Sequence, residues 1–232
     1  MLNKLIFSFI LIFFLFILSR KITGLIYTFF LFVFRSRKFA IGILSVILLP
    51  GTFVHEMSHL IIATLLRVPV GKLSVYPKIE DDGGVLVGHL EVGKADPFRL
   101  TLVGIAPMIT GLSIIYLIGK IFMQNISLTI PYTLNSIRLL GFYLLLVTCQ
   151  TMFSSRKDLK SLIIVGPVII IIAASLYFAG IRLFFNEALN TTLLTVLNNL
   201  NLYLLLANLA NLSVLILFGL IIYIGNKITV IR

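Results

Sequence analysis

The residues best suited to chemistry are His55, Glu56 and His59, in the run TFVHEMSHLIIATLL at positions 52–66. On an α-helix, residues four apart share a face and stand about 6 Å apart along the axis. Two imidazoles placed that way can hold one Zn²⁺ at about 2.0–2.1 Å. Glu56 is turned away by one residue. Its carboxylate can stay off the metal and take a proton from a water that the metal activates. The competing reading is of two helix-facing histidines and a glutamate satisfied by their neighbours. That reading buries a carboxylate in an apolar run for no return, at a cost of several kcal/mol. The spacing therefore predicts a zinc hydrolase centre set in apolar sequence.

A catalytic zinc usually takes three protein ligands and leaves one position for water. His59 is followed by LIIATLL, so the third histidine of the soluble pattern is missing. Glu80 sits in a turn signal, and His89 is the one other histidine. Five of the eight acids fall within 68–98; outside it remain Glu56, Asp158 and Glu187. Asp158 lies just beyond an apolar run, where an ionisable group is a functional candidate by default. Its competing role is an interfacial charge paired with Arg156 or Lys157. The expected ligand set is His55, His59 and Asp158.

The elements that must position these groups are mostly apolar runs. The 232 residues are 59% hydrophobic, and the mean hydropathy is +1.13. Those values suit an all-α polytopic membrane protein and exclude an ordinary soluble domain. The expected architecture has about six transmembrane helices and a small β-hairpin insert. Residues 1–38 form an N-terminal membrane anchor region, with a first span at 2–19 and a second apolar piece at 22–34 that either extends it or starts a tight hairpin. The core runs from 39 to 160. Its first run, 39–66, is interrupted by Pro50-Gly51, which predicts a kink or break just before His55. Residues 68–98 alternate polar and apolar on either side of EDDGG, a hairpin pattern that places His89 and Glu91 on one strand face. Spans follow at 99–122 and 134–153. Residues 161–232 complete the chain with spans at 161–185 and about 203–225, joined by an Asn-rich stretch at 186–202 that carries no Lys or Arg.

The net charge of +11 lies mostly at the ends of apolar runs, where it meets lipid headgroups, and no nucleic-acid platform is visible. The single Cys149 excludes an internal disulfide framework. The basic loops place Arg67, Arg156–Lys160 and Lys227 in the cytoplasm, with the metal centre towards that side. Arg35, Arg37 and Lys38 do not fit this scheme if 39–66 crosses once.

With these residues in view, the chain resembles the site-2 protease family of intramembrane zinc metalloproteases (peptidase family M50). That family's three-helix core carries H-E-x-x-H on its first helix and an aspartate ligand on its third, often in N-x-x-P-x-x-x-x-D-G. His55, Glu56 and His59 match the first motif in full. Asp158 stands at the aspartate of the second, with Gln150 for Asn, Phe153 for Pro and Leu159 for Gly. Ile105-Ala106-Pro107-Met108-Ile109-Thr110 resembles the middle-helix segment, and the likeness covers residues 39–160. The resemblance implies a zinc endopeptidase that hydrolyses peptide bonds in or near a membrane segment of a polypeptide substrate. Two other readings stay open. One is a scaffold or transport protein that keeps the fold, which Glu56 argues against because a scaffold needs no general base. The other is a zinc hydrolase of a small or lipid-like molecule.

Overall fold

The computed structural model describes residues 2–75, 78–79, 85–86, 88–124, 135–153, 168, 171–172, 175, 178–179 and 186–230. Its long elements are α1 (Leu2–Phe34), α2 (Arg37–Leu65), α3 (Pro97–Gln124), α4 (Asn135–Thr151) and α5 (Glu187–Val230). Between α2 and α3 stand four short strands, β1 (Val70–Ser74), β2 (Lys78–Ile79), β3 (Val85–Leu86) and β4 (His89–Val92). Strand β1 pairs antiparallel with β4, and β2 with β3. The ladder is the expected hairpin, with Ser74 opposite His89 and Leu73 opposite Leu90. His89 is half-buried, Leu90 is buried and Glu91 is exposed. The Glu91 carboxylate accepts from the Lys72 amide at 3.3 Å.

Four of these helices, α1, α2, α3 and α5, are long and apolar enough to cross a membrane, while α4 is shorter. Large apolar side chains stand exposed on them, Phe9, Val46 and Leu65 among them, a surface that lipid would cover at no cost. Most of the span expected at 161–185 lies outside the described residues.

The first span and the apolar piece at 22–34 form one helix of 33 residues, the extension that the sequence left open. Arg20 and Lys21 do not end it, and the Arg20 guanidinium lies 5.5 Å from the centre of the Phe16 ring, where a cation gains from the ring's negative face. Helix α2 continues through Pro50-Gly51 without a break. The Asn-rich stretch is no connector: it opens the 44-residue helix α5. Asparagine is a poor helix former in water because its amide competes for backbone groups. Here the amides face a partner helix instead. Asn201 donates to the Lys4 carbonyl at 3.0 Å and accepts from Ser8 at 2.6 Å. Asn208 donates to the Leu11 carbonyl at 3.1 Å, and Asn211 accepts from Gln150 of α4 at 2.5 Å. Polar side chains tie apolar helices together in this way.

These contacts run α1 and α5 in the same direction, with Asn201 beside Lys4 and Gly225 beside Phe32. Helix α2 turns back after the two-residue link Arg35-Ser36, and Leu44 and Leu48 pack against Ile26 and Tyr27 of α1. Lys227 therefore belongs to the α1 end that carries Arg35, Arg37 and Lys38, not to the Arg67 end with which its charge had grouped it.

Helix α2 ends in a Schellman turn. Arg67 has φ 54, its amide donates to the Thr64 carbonyl at 3.1 Å, and the Val68 amide donates to the Ala63 carbonyl at 2.8 Å. Val68 then packs on Ala63 and on Val103 of α3, so the helix stop also docks the next element of the core. Helix α3 is capped by Asp96, whose carboxylate accepts from the Arg99 amide at 3.0 Å, with Pro97 in the first helical position, where its missing N–H costs nothing. Replacing Asp96 with Ala is expected to lower stability by about 1 kcal/mol, measured by unfolding in mixed micelles, with Asp96→Asn close to wild type.

Candidate metal centre

His55, Glu56 and His59 sit in the second half of α2, at 4%, 4% and 6% exposure. His55 and His59 lie ten and six residues before the end of the helix at Leu65, about 15 and 9 Å along the axis. The stripe Thr52, His55, Glu56, His59 follows the i, i+3, i+4, i+7 pattern of one helix face, and all four residues are buried. Around it α2 packs closely on its neighbours. A side chain at Gly51 would collide with Val147 and Thr151 of α4, and one at Gly111 of α3 would meet Met152 at 2.7 Å. The small residues thus bring three helices together at the level of the histidines.

The two imidazoles stand nearly perpendicular, at 87°, and their Nε2 atoms face each other at 3.2 Å. His59 Nδ1 lies 2.8 Å from the Val103 carbonyl of α3. A carbonyl can only accept, so this bond places the His59 proton on Nδ1 and leaves Nε2 with its lone pair. Two nitrogens bound to a common ion at 2.0–2.1 Å, at a tetrahedral angle, stand about 3.3–3.4 Å apart. The observed 3.2 Å fits such an ion with almost no movement. The Val103 carbonyl is the kind of outer partner that fixes a metal-binding histidine's tautomer and ring plane.

Residue Gly88, which leads into β4, closes the other side. A Cβ built there would stand 2.5 Å from Thr52 Cγ2 and 2.8 Å from Glu56 Oε1. Only glycine lets the hairpin backbone lie against the Glu56 side chain in this way. On the opposite flank, a narrow cleft between α2, α3 and α4 reaches His55, lined among others by Gly51, Val54, Pro107, Gly111 and Thr151. It has room for on the order of one water molecule.

Of the four residues expected from the sequence, the structure brings the Nε2 atoms of His55 and His59 together, and it places the Glu56 carboxylate on the same buried stripe, beside Gly88. Among the described residues no group of three His, Cys, Asp or Glu side chains forms a metal cage. Asp158 and Glu80 lie outside the described residues, and His89 pairs with Ser74 in the hairpin rather than joining the two histidines. Helix α4 reaches the level of Gly51 at its last residue, Thr151, seven residues before Asp158 in the sequence. Sequence reasoning did not find Val103, Gly88 or Thr52. The first acts through its backbone and carries no side-chain signal. The other two could have been suspected, Gly88 because glycine in a strand often marks a close approach, and Thr52 from its place in the 52–55–56–59 stripe.

Metal analysis of the purified protein is expected to find about one zinc per chain, with the ion lost in His55→Ala and His59→Ala. Val103 offers its backbone, so Val103→Ala should retain it. No protein-family model, no curated protein and no solved structure matches this chain.

Proposed function

We propose that this chain is an intramembrane zinc endopeptidase that hydrolyses peptide bonds of membrane polypeptides. The observation that carries this reading is the pair of Nε2 atoms converging at 3.2 Å beside a buried glutamate, inside a helix long and apolar enough to span a bilayer. His55 and His59 would hold the ion, with Asp158 as the third ligand. When bound, zinc supplies Lewis acidity, which acidifies water and polarises a carbonyl.

The chain's own residues supply the remaining steps. His55 and His59 present their Nε2 atoms, and the Val103 carbonyl keeps His59 in the tautomer that can do so. Glu56 takes a proton from the attacking water and delivers it to the nitrogen of the leaving amine. The water's oxygen and remaining hydrogen go to the new carboxyl group, and the carboxylate of Glu56 is regenerated. Burial of Glu56 excludes bulk solvent, so water reaches the reacting carbonyl through the cleft at His55. A substrate helix must unwind, because its peptide bonds are shielded by its own hydrogen bonding. The hairpin is suited to hold the unwound segment, since the backbone just before β4 already lies on Glu56 and a two-stranded sheet leaves edges for a further strand. The site is displaced towards the Arg67 end of α2. With Lys227 at the other end, assignment of that side to the cytoplasm rests on Arg67 and the basic run Arg156–Lys160.

The reading is tested in proteoliposomes with a fluorescein-labelled peptide carrying an apolar span of about twenty residues. Glu56→Gln is expected to slow cleavage by roughly 10²–10⁴-fold while keeping its zinc. Asp158→Ala should lose zinc and activity together. A trapped lipid in place of a trapped polypeptide on Glu56→Gln would transfer the chemistry to a lipid hydrolase. Wild-type protein without metal would sink both enzyme readings and leave the scaffold.

A further inference from the structure

A charge is least stable at the middle of a bilayer, and Lys21 of α1 lies close to that depth. Gly51 is the central residue of α2, which runs from Arg37 to Leu65. Thr151 of α4 packs on Gly51, and its neighbour Gln150 accepts from Thr23 of α1 at 3.3 Å. Lys21 stands two residues before Thr23, about 3 Å along the axis. In a hydrocarbon core of about 30 Å centred on these helices, the Lys21 backbone is about 12 Å from the nearer edge. The four-carbon stem of a lysine falls short of that distance, so its head group does not reach the lipid headgroups. The neighbouring Arg20 turns to the Phe16 ring. Lys21 is exposed, and among the described residues no carboxylate pairs with it; the ion pair they contain joins Arg99 to Asp96.

Lys21 shares its face of α1 with Gly24 and Thr28, at i, i+3 and i+7. All three are exposed, while Leu18, Ser19 and Ile22 turn inward. A side chain built at Gly24 would meet nothing within 4 Å, in contrast to Gly51, Gly88 and Gly111. Glycine weakens a helix relative to alanine, and no contact inside this chain uses the space that Gly24 leaves. The Thr28 hydroxyl is turned to the Gly24 carbonyl at 2.9 Å, so the patch offers shape and not a free donor. Small residues four apart let a second helix come close in a membrane. Here they lie one to two turns from an ammonium that has no counter-charge.

We infer that this face of α1 docks a transmembrane helix of another polypeptide, one that carries an Asp or Glu near its middle. Gly24 and Thr28 let the two helices approach, and the carboxylate neutralises the Lys21 ammonium. Charge selects this occupant. Lipid tails hold no carboxylate, and phosphate headgroups lie at the bilayer edges. Of the described acids, the one nearest this depth is Glu56, which is buried in the site, so a second copy of the described chain presents none there. The docking face needs no metal and stands apart from the endopeptidase reading.

The test places donor-labelled Glu56→Gln protein, which leaves a bound peptide uncut, in proteoliposomes. The probe is an acceptor-labelled peptide with an apolar span of about twenty residues and one Glu at its centre, compared with its Gln twin. Energy transfer, titrated against lipid, is expected to show the Glu peptide binding roughly tenfold more tightly. Lys21→Leu should abolish that preference and leave the melting temperature level or higher. Lys21→Arg should keep the preference, and Lys21→Glu should transfer it to a peptide with a central Lys. Gly24→Leu has room inside the chain, so it should weaken both peptides at an unchanged melting temperature. Equal binding of the Glu and Gln peptides, or a preference that survives in Lys21→Leu, would overturn the inference. A lower melting temperature for Lys21→Leu would assign the ammonium to the fold and overturn it too. Unaltered binding by Gly24→Leu would put the contact elsewhere. Energy transfer between copies without peptide, lost in Lys21→Leu, would seat a second copy on this face in place of a foreign helix. Cleavage by the Glu56 protein is read separately, so the docking face and the endopeptidase reading can each fail alone.

Discussion

The bond between His59 Nδ1 and the Val103 carbonyl is the contact on which the site depends. It decides the tautomer of one imidazole and so decides that the 3.2 Å gap between the two Nε2 atoms has a lone pair facing into it. It also crosses from α2 to α3. The fold therefore reaches the chemistry through α3's placement, and that placement begins with the Asp96 cap and with Val68 packed on Ala63 and Val103. A shift of α3 along its axis would release His59 to rotate, and the two nitrogens would no longer share a focus.

Close helix approach supplies the second constraint. Apolar side chains gain little by leaving lipid for a helix interface, so packing in a membrane relies on fit and on hydrogen bonds. At Gly51 and Gly111 the backbones come near enough that a methyl group would collide with the neighbouring helix. Away from the site the same work is done by polar groups: Thr23 to Gln150, Gln150 to Asn211 and Tyr143 to the Ile47 carbonyl link α1, α4, α5 and α2. Tyr143 joins at the Ile47 carbonyl, in the turn that precedes Pro50.

Much of this was legible in the sequence because it depends on local pattern. The i, i+4 spacing of His55 and His59 puts both on one helix face, within reach of one point, before any packing partner is known. The EDDGG turn between alternating runs dictates a hairpin. The errors came where a distant partner overruled a local preference. Asn201, in the stretch expected to be a connector, favours a loop only until α1 supplies the Lys4 carbonyl and the Ser8 hydroxyl for its amide. Pro50 signals a kink or a break, and α2 runs through it as one helix. Gly88 signals in the sequence only that something comes close, and what comes close is Glu56, thirty-two positions away.

The pairing of α1 with α5 has a mechanical consequence. At 33 and 44 residues they measure about 50 and 66 Å, against a hydrocarbon core of about 30 Å. Helices that overrun a bilayer relieve the mismatch by tilting or by thickening the lipid around them. Sliding past one another is opposed, because Asn201 and Asn208 hold the carbonyls of Lys4 and Leu11 in a single register. They tilt as one rigid strut. Through Gln150 and Thr23 the pair is fastened to α4 beside the candidate metal centre, so in a bilayer a tilt of the pair would bear on the helix that frames the site.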